Sequence, residues 1–317
     1  MKPRLIVCML VAGALVGNAS QASYGAWEAL VANFHTGEIL KYDFPAGTGG
    51  DAFALTGSLV HDLAQGSDGH IYATTGDVTH DVLCFNGLMG GLISVFVASG
   101  SGGLDNPDGL TFGPDGHLYV CSSDTGVVLR YNGVTGDFID VFASHSSMTR
   151  CHRAIFGPDG NLYVSGSWHT NNVFRFDGST GAFIDEFVPS GSGGLSNAHG
   201  LAFDPDGNLY VCSMYGNQVL RYDGQTGAFM DVFTSGGSMN WPIGLCFGPD
   251  GDLYVVNLLG NSVLRYDGTT GAFIADFATG GLLDWPSNVI FVPEPATLAL
   301  VAAGLGAVWM GKRRVTR

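Results

Sequence analysis

The feature that most constrains this chain is a repeat of 44 to 47 residues that fills most of its length. Its marker is the turn Gly-Pro-Asp-Gly at residues 113–116, 157–160 and 248–251, with Asp-Pro-Asp-Gly at 204–207. A weaker copy, Gly-Ser-Asp-Gly, stands at 66–69. Repeats of this length are typical of solenoids and propellers, so the whole chain is expected to be built from one recurring unit.

Each repeat contains four short apolar runs rich in Tyr, Val, Phe and Ile, as strands prefer. In the copy that spans residues 106–142, the runs lie at 109–112, 118–120, 128–131 and 138–142. Between them, Pro presets the turn backbone, Asp caps it and Gly supplies a positive φ. No segment has apolar residues at helical spacing, which argues against an α-solenoid and predicts β-propeller blades.

The two ends of the repeat region complement each other. Residues 27–43 match the second and third strands of a repeat but have no first strand before them. Residues 285–291 match the first strand of the preceding repeat, at 241–247. We therefore expect an all-β, six-bladed propeller of four-stranded antiparallel blades. The C-terminal strand joins the N-terminal blade and closes the ring, so that no long edge strand stays unpaired.

Residues 1–22 have the pattern of a secretory signal peptide. Lys2 and Arg4 precede an apolar stretch at 5–16, and the small-residue sequence 20–22 predicts cleavage after Ala22. A short buried helix is the alternative interpretation. The propeller is then expected to occupy residues 23–292, which is long enough for a sizeable core.

Charge limits the choice of partner. The formal net charge is −15, whereas nucleic-acid binding needs a basic face, so nucleic acid is not expected as a ligand. Many carboxylates fall in the turns that join strands one to two and three to four, which predicts one acidic face of the disc. Turn capping explains these residues, and weak Ca²⁺ binding is the alternative. They are Asp115, Asp159, Asp177, Asp206, Asp223, Asp250 and Asp267.

The cysteines do not define a framework. Cys8 lies in the predicted signal peptide, and five others remain without CxxC spacing. Cys121 and Cys212 occupy the same position in their repeats and are expected to be buried thiols. Export would permit one disulfide, whose pairing the sequence leaves open.

One position, just before the residue that opens each innermost strand, collects polar side chains. Around the ring it is occupied by His61, Asp108, His152, His199, Ile243 and Ser287. Innermost strands line the central channel, so these side chains are expected at one mouth of it. Arg153, Asp62, Asn288, and the residues that end second strands (Ser122, Ser213, Asn257 and Asn33) are expected nearby.

Three imidazoles and a carboxylate form a plausible ligand set for a divalent metal, with Zn²⁺, Mg²⁺ and Ca²⁺ as candidates. The hypothesis is a metal or anion site made by His61, Asp108, His152 and His199, with His152 and His199 as candidate catalytic residues. The alternative is a wet channel whose polar residues bond to backbone or water. Strict strand alternation favours the alternative, because it turns Asp108 to the same side as Leu110, towards a neighbouring blade.

The C-terminal residues 293–317 contain three ordered parts. These are Pro293, Glu294 and Pro295, an apolar run at 296–310, and the basic cluster Lys312, Arg313 and Arg314. This arrangement resembles the PEP-CTERM family of sorting signals. The resemblance implies export through the Sec translocon, a short transmembrane helix and cleavage by an exosortase. It also implies delivery to the envelope or outer surface of a Gram-negative bacterium. A plain retained anchor is the alternative.

The repeat itself, with its GLxFGPDGxLYV and VLRYDGxTG segments, resembles NHL-repeat proteins and the streptogramin-lyase-like and gluconolactonase-like propellers. This resemblance implies a fold but no single activity, since such propellers include enzymes and binding modules. Gluconolactonase-like proteins hold a divalent cation with acidic and Asn ligands, for which this chain offers Asp108 and Asn288 but no matching Glu. The lyases use His and a metal, with which His152 and His199 are compatible, but they have seven blades.

The sequence contains no GxSxG, HExxH or phosphate-binding loop. Trp168, His169, Trp241 and Trp285 are candidates for stacking a sugar or peptide, with ordinary packing as the alternative. The interpretation that follows is an exported surface or matrix-associated binding or scaffold module, more a binder than an enzyme, with a glycan or surface protein as partner. A metal-dependent lyase or lactonase, with its site at the channel mouth, is the alternative.

Overall fold

The structure, a computed structural model, describes residues 27–166 and 170–294. These residues form six antiparallel sheets of four strands each, which confirms the predicted six-bladed propeller. Two short 3-10 turns, Ser101–Gly103 and Ser192–Gly194, precede the third and fifth blades. Among the described residues no helix is long and apolar enough to cross a membrane.

The strands follow one another from the inside of each blade to the outside. Blade 2 contains β4 (Leu59–Gln65), β5 (Ile71–Gly76), β6 (Val82–Phe85) and β7 (Leu92–Val97). Blade 3 contains β8 (Pro107–Phe112), β9 (Leu118–Ser122), β10 (Val127–Tyr131) and β11 (Phe138–Ser144). Blade 4 contains β12 (Cys151–Phe156), β13 (Leu162–Gly166), β14 (Asn172–Phe176) and β15 (Phe183–Val188). Blade 5 contains β16 (Ala198–Phe203), β17 (Leu209–Ser213), β18 (Gln218–Tyr222) and β19 (Phe229–Thr234). Blade 6 contains β20 (Pro242–Phe247), β21 (Leu253–Asn257), β22 (Ser262–Tyr266) and β23 (Phe273–Thr279).

Blade 1 is assembled from both ends of the propeller. Its outer strands are β1 (Trp27–Asn33), β2 (Glu38–Asp43) and β3 (Gly49–Leu55), and its innermost strand is β24 (Pro286–Pro293). β24 pairs antiparallel with β1, from Trp27 opposite Pro293 to Asn33 opposite Pro286. The ring therefore closes as the sequence predicts.

A tyrosine on the second strand of five blades joins each blade to the next. The Tyr119 ring meets Phe142 of its own blade at 4.8 Å and Phe156 of the following blade at 5.0 Å, both edge to face. Its hydroxyl donates to Asp115 at 2.8 Å. The same arrangement recurs at Tyr72, Tyr163, Tyr210 and Tyr254. Edge-to-face rings add specificity to the apolar contact between blades.

The carboxylates of the acidic turns accept hydrogen bonds from nearby backbone N–H and side-chain hydroxyl groups. Asp115 accepts the His117 backbone N–H and the Tyr119 hydroxyl, and Asp159 does the same with Asn161 and Tyr163. Asp177 accepts two backbone N–H groups and the Thr180 hydroxyl. These contacts support turn capping as the role of the repeated Asp residues, except that in blade 5 Asp204, not the predicted Asp206, accepts the Asn208 backbone N–H and the Tyr210 hydroxyl.

All five cysteines of the propeller are free thiols, and Cys121 and Cys212 are completely buried, as predicted. The predicted signal peptide with Ala22, the stacking candidates Trp168 and His169, and the tail with Pro295, Lys312, Arg313 and Arg314 lie outside the described residues. Pro293 and Glu294 end the described part of the chain.

Candidate functional site

The six residues predicted at the channel mouth line one cavity of about 400 Å³. This cavity, here called the mouth pocket, opens at the end of the disc where the innermost strands begin. The residues that the sequence placed there are His61, Asp108, His152, His199, Ile243 and Ser287. The structure therefore brings together one side chain from each blade.

A β-bulge in the innermost strands turns these side chains into the channel. In blade 3 the β8–β9 pairing shifts register between Pro107 and Leu110, so Asp108 has no direct partner on β9. The corresponding register shifts in blades 4 and 5 leave His152 and His199 without a direct partner on the second strand. Strict alternation, which predicted that Asp108 faces a neighbouring blade, is therefore wrong, because a bulge re-aims the side chain.

A layer of buried polar residues lies one position further along the innermost strands. The Arg153 guanidinium from blade 4 pairs with the Asp62 carboxylate from blade 2, and the Asn288 amide from blade 1 donates to the same carboxylate. Asp62 also accepts the backbone N–H groups of Leu63 and Leu110, each at 2.8 Å. These predicted neighbours thus do not line the mouth pocket but pair with one another in the adjacent layer of the channel.

The second-strand residues Ser122, Ser213, Asn257 and Asn33 are completely buried and hold the loops around the mouth. Each accepts a backbone N–H from the loop that leads into an innermost strand, as Ser122 does from Asp105 at 3.0 Å. They lie at the predicted end of the blades but support the pocket wall rather than line it.

Asp108 connects the histidines of the pocket. His152 Nδ1 donates to one of its carboxylate oxygens, and His61 Nδ1 lies 3.7 Å from the other. The His199 ring stacks on His152, with ring centres 4.3 Å apart, and its Nδ1 donates to the Ile243 carbonyl at 2.8 Å. The Nδ1 atoms of His152 and His199 are thus both engaged, so Nε2 is the ring nitrogen of each that can meet a further partner.

Burial and neighbouring charge set the protonation of this cluster. Burial opposes ionisation of Asp108, but the charge and hydrogen bonds of His152 and His61 outweigh it and hold the pKa of Asp108 well below its usual range. Burial and the adjacent His152 lower the pKa of His199 to about 3. At physiological pH the ionised carboxylate of Asp108 therefore lies near the neutral imidazole of His199.

Three residues fit a divalent metal. Asp108, His152 and His199 each offer a ligand atom, and these atoms lie within 4.8 Å of one another. Two metal–ligand bonds of about 2 Å span at most about 4 Å, so the widest pair must close by less than about 1 Å. His61 is not part of this group; its Nε2 lies beside Gly76 instead. Three of the four predicted ligands thus lie within this distance of one another, and His61 contacts Asp108 from outside the group.

Aromatic and apolar side chains form the rim of the mouth pocket. Trp241 and Trp285 line it, as do Phe34, Met214 and Leu258, each of which directly follows a second strand. The sequence analysis missed these last three. Their common position, directly after the second-strand polar residue, is the signal that would have identified them.

Comparison with known proteins supports the fold alone. No family model and no curated protein sequence matches the chain. A solved structure of a nidogen/laminin complex matches 84% of this chain and 99% of its own, with a TM-score of 0.66 and 14% identity. The gluconolactonase XC5397 from Xanthomonas campestris covers 87% of this chain and 96% of its own, with a TM-score of 0.61 and 15% identity. Virginiamycin B lyase from Staphylococcus aureus covers 78% and 82%, with a TM-score of 0.56 and 16% identity.

The propellers similar to this chain therefore include proteins named for a complex, for lactone hydrolysis and for a lyase reaction. At such identity the likeness assigns a β-propeller and no activity. The function has to be argued from the mouth pocket.

Proposed function

We propose that this protein is an exported binding module of the cell surface that takes its ligand in the mouth pocket. The observation that carries the proposal is the pocket itself, about 400 Å³ with an aromatic rim and a polar floor. Ligand sites are commonly concave, mostly apolar and equipped with a few converging polar groups. Among the described residues, the buried Nε2 atoms of His61 and His152 have no hydrogen-bond partner, so unsatisfied polar groups lie in the wall of the pocket.

The chain ends agree with a surface module. β24 begins beside the mouth and ends at Pro293, opposite Trp27. The first and last strands of the propeller region therefore both end at the face that bears the repeated Asp turns, here called the acidic-turn face. In this proposal residues 1–22 direct export through the Sec translocon, and the tail anchors the protein until an exosortase cleaves it. The pocket then faces away from the attachment point and is open to a glycan or a surface protein.

The proposal is tested with full-length protein in detergent and two pocket-filling variants, Ile243→Trp and Leu258→Trp. A thermal-shift panel contains neutral and acidic oligosaccharides, peptides and divalent metals. We expect at least one compound to stabilise the wild type and not the folded variants. A panel that stabilises all three proteins equally, or none, overturns a ligand site in the mouth pocket.

A second candidate function is metal binding, which the Asp108, His152 and His199 group favours. Two imidazole nitrogens and a carboxylate suit Zn²⁺ or a related ion, and a hydrogen-bonded Nδ1 orients such ligands. Bound there, the ion would supply a Lewis-acid contact for an oxygen of the ligand. That contact would also be the basis of the alternative, a metal-dependent lyase or lactonase.

Elemental analysis after dialysis against Zn²⁺ tests the metal site. We expect close to one ion per chain in the wild type and little in His199→Ala. His145→Ala is the matched control, because His145 stacks on Phe183 in the fourth blade, away from the pocket. Equal metal in all three proteins argues against this site. Mass spectrometry of the same ligand panel reports turnover, which would replace the binding proposal with the enzymatic one.

A further inference from the structure

The residue before the innermost strand adopts the same unusual backbone in four blades. It is Asn106 in blade 3, Asn197 in blade 5, Trp241 in blade 6 and Trp285 in blade 1, with φ of 49°, 58°, 57° and 54°. Asn tolerates this left-handed region because its short side chain bonds locally, whereas a bulky residue there is an outlier. Two of the four blades thus place an indole where the backbone disfavours it.

Backbone hydrogen bonds set this conformation whatever the side chain. The carbonyls of Asn106, Asn197 and Trp241 each accept an N–H at 3.1 Å, from Ser123, Met214 and Leu258, and that of Trp285 accepts Phe34 N–H at 3.0 Å. The N–H groups of Trp241 and Trp285 donate to the side chains of Asn217 and Asn261 at 2.9 Å. Asn197 N–H donates to Asn171 in the same way, at 2.7 Å. The framework works equally with Asn, so it does not require Trp.

The indoles are oriented by their neighbours. The Trp285 ring stacks on His35 with 4.1 Å between centres and 16° between planes. The Trp241 ring meets Tyr215 edge to face at 5.5 Å. Both indoles line the mouth pocket and are only partly buried. Backbone strain that the scaffold does not need is characteristic of sites where the side chain acts on a ligand.

We propose that Trp241 and Trp285 form a stacking platform for the pyranose rings of a neutral glycan at the rim of the mouth pocket. A pyranose has an apolar C–H face that packs on an indole and hydroxyls at its edge. Asp108 and His152 line the same pocket, where the Asp108 carboxylate can accept a hydrogen bond from a hydroxyl. The buried Nε2 of His152 has no partner among the described residues.

The charge of the protein favours a neutral glycan over an anionic glycan, because a net charge of −15 repels polyanions. The inference rests on the proposed binding function and names its ligand class. It requires no metal ion and no bond-making step.

The test is a titration of full-length protein in detergent with cellohexaose, laminarihexaose and mannohexaose, followed by indole fluorescence and calorimetry. A galacturonic acid hexamer and a proline-rich peptide are the competing ligands. The variants are Trp241→Asn and Trp285→Asn, which install the residue that blades 3 and 5 already use. Trp27→Asn is the matched control, because it removes an indole that lines a groove away from the mouth pocket.

We expect a neutral hexasaccharide to bind and each mouth variant to raise its Kd at least tenfold, while Trp27→Asn leaves it unchanged. The mouth variants should remain folded, since Asn suits this backbone, although each loses the packing of an indole on the neighbouring core. Binding of only the acidic hexamer or the peptide overturns the ligand class. Undiminished affinity in the folded mouth variants overturns the platform and indicates a packing role.

The two proposals fail differently. If a peptide binds and Ile243→Trp abolishes its binding, the mouth pocket is a ligand site and the glycan inference is wrong. If no compound binds and the pocket-filling variants match the wild type throughout, both are wrong.

Discussion

At the scale of single residues, the layer next to the mouth pocket depends on a buried ion pair that crosses the channel. Asp62 is 1% exposed, and its carboxylate is satisfied by Arg153, Asn288 and two backbone N–H groups. A complete buried ion pair adds little net stability, because desolvation offsets the attraction between the charges. Removing one partner is costly, because it leaves an uncompensated buried charge.

Arg153→Met should therefore destabilise the protein strongly. We expect the free energy of unfolding to fall by about 3–5 kcal/mol, the usual cost of breaking a buried pair. In Arg130→Met the lost partner, Asp140, is 43% exposed, and the expected loss is about 1 kcal/mol or less. Denaturant unfolding of both variants measures this difference. Equal losses of unfolding free energy would show that the Asp62–Arg153 pair is not effectively buried.

The exposed turn carboxylates predict a second, pH-dependent effect. Hydrogen bonds from Thr180 and Ser179 lower the pKa of Asp177, and matching bonds lower the pKa values of Asp223 and Asp267. Because the folded-state pKa is the lower one, the stabilisation is present above the unfolded pKa and is lost as pH falls through the folded value.

Replacing Asp177, Asp223 and Asp267 together by Asn should flatten the stability profile below about pH 4, where unfolded Asp begins to bind protons. The turns should survive, because Asn86 and Asn132 already make the same backbone bonds in blades 2 and 3. Melting temperatures of variant and wild type should converge as the pH is lowered. An unchanged acid slope would assign acid sensitivity to other groups.

At the scale of elements, the β-bulge at the start of each innermost strand directs the repeated polar position into the mouth pocket. The bulge turns Asp108, His152 and His199 inward, and a glycine after two of them allows the next strand to approach. A Cβ on Gly109 would lie 2.3 Å from the His152 carbonyl oxygen, and one on Gly200 would lie 2.8 Å from that of Ile243.

Gly109→Ala should consequently damage both fold and site. Relief of the clash must move backbone, and overpacking of this kind costs about 1–3 kcal/mol. Because the displaced strand bears His152, metal uptake should fall as well. Gly91→Ala is the matched control, since a Cβ there meets nothing within 4 Å. Wild-type stability and metal content in Gly109→Ala would contradict a rigid approach of the two strands.

At the scale of the whole molecule, one strand closes the ring, and the first and last described residues of the propeller lie at the same face. β24 supplies the inner strand of blade 1, so without it β1 has an open edge and the first blade has no wall towards the channel. Open strand edges favour aggregation.

A chain that ends after residue 283 should not form a folded monomer, whereas one that ends after Glu294 should. The comparison isolates β24, because the longer version retains it and lacks only the tail. Size-exclusion chromatography and near-ultraviolet circular dichroism distinguish the outcomes. A monodisperse, cooperatively unfolding short form would mean that five blades and an incomplete sixth are sufficient.

The position of the chain ends predicts how an anchored molecule is oriented. Two residues, Glu294 and Pro295, separate Pro293 from the apolar run that begins at Ala296, and the three steps from residue 293 to residue 296 span about 10 Å at most. In vesicles with fluorescent headgroups, a dye on Asp206→Cys at the acidic-turn face should show more energy transfer than one on Asp77→Cys at the mouth. Equal transfer in membrane-bound protein would contradict this orientation, while loss of membrane binding itself would contradict the anchor.

From the sequence alone, the repeat determined the blades, their number, the closing strand and the buried thiols. It could do so because turn chemistry and strand patterning are local and recur six times. It also identified the six mouth residues, since equivalent positions of a ring must meet at its axis.

Only the tertiary structure decided which way those residues point and what they contact. The bulge at Asp108 depends on pairing between strands, and the Asp62–Arg153 pair joins residues two blades apart. The structure likewise brought three of the four candidate ligands within metal-binding reach of one another and gave Trp241 and Trp285 their left-handed backbone. Such properties arise from contacts between distant parts of the chain, which a local pattern does not encode.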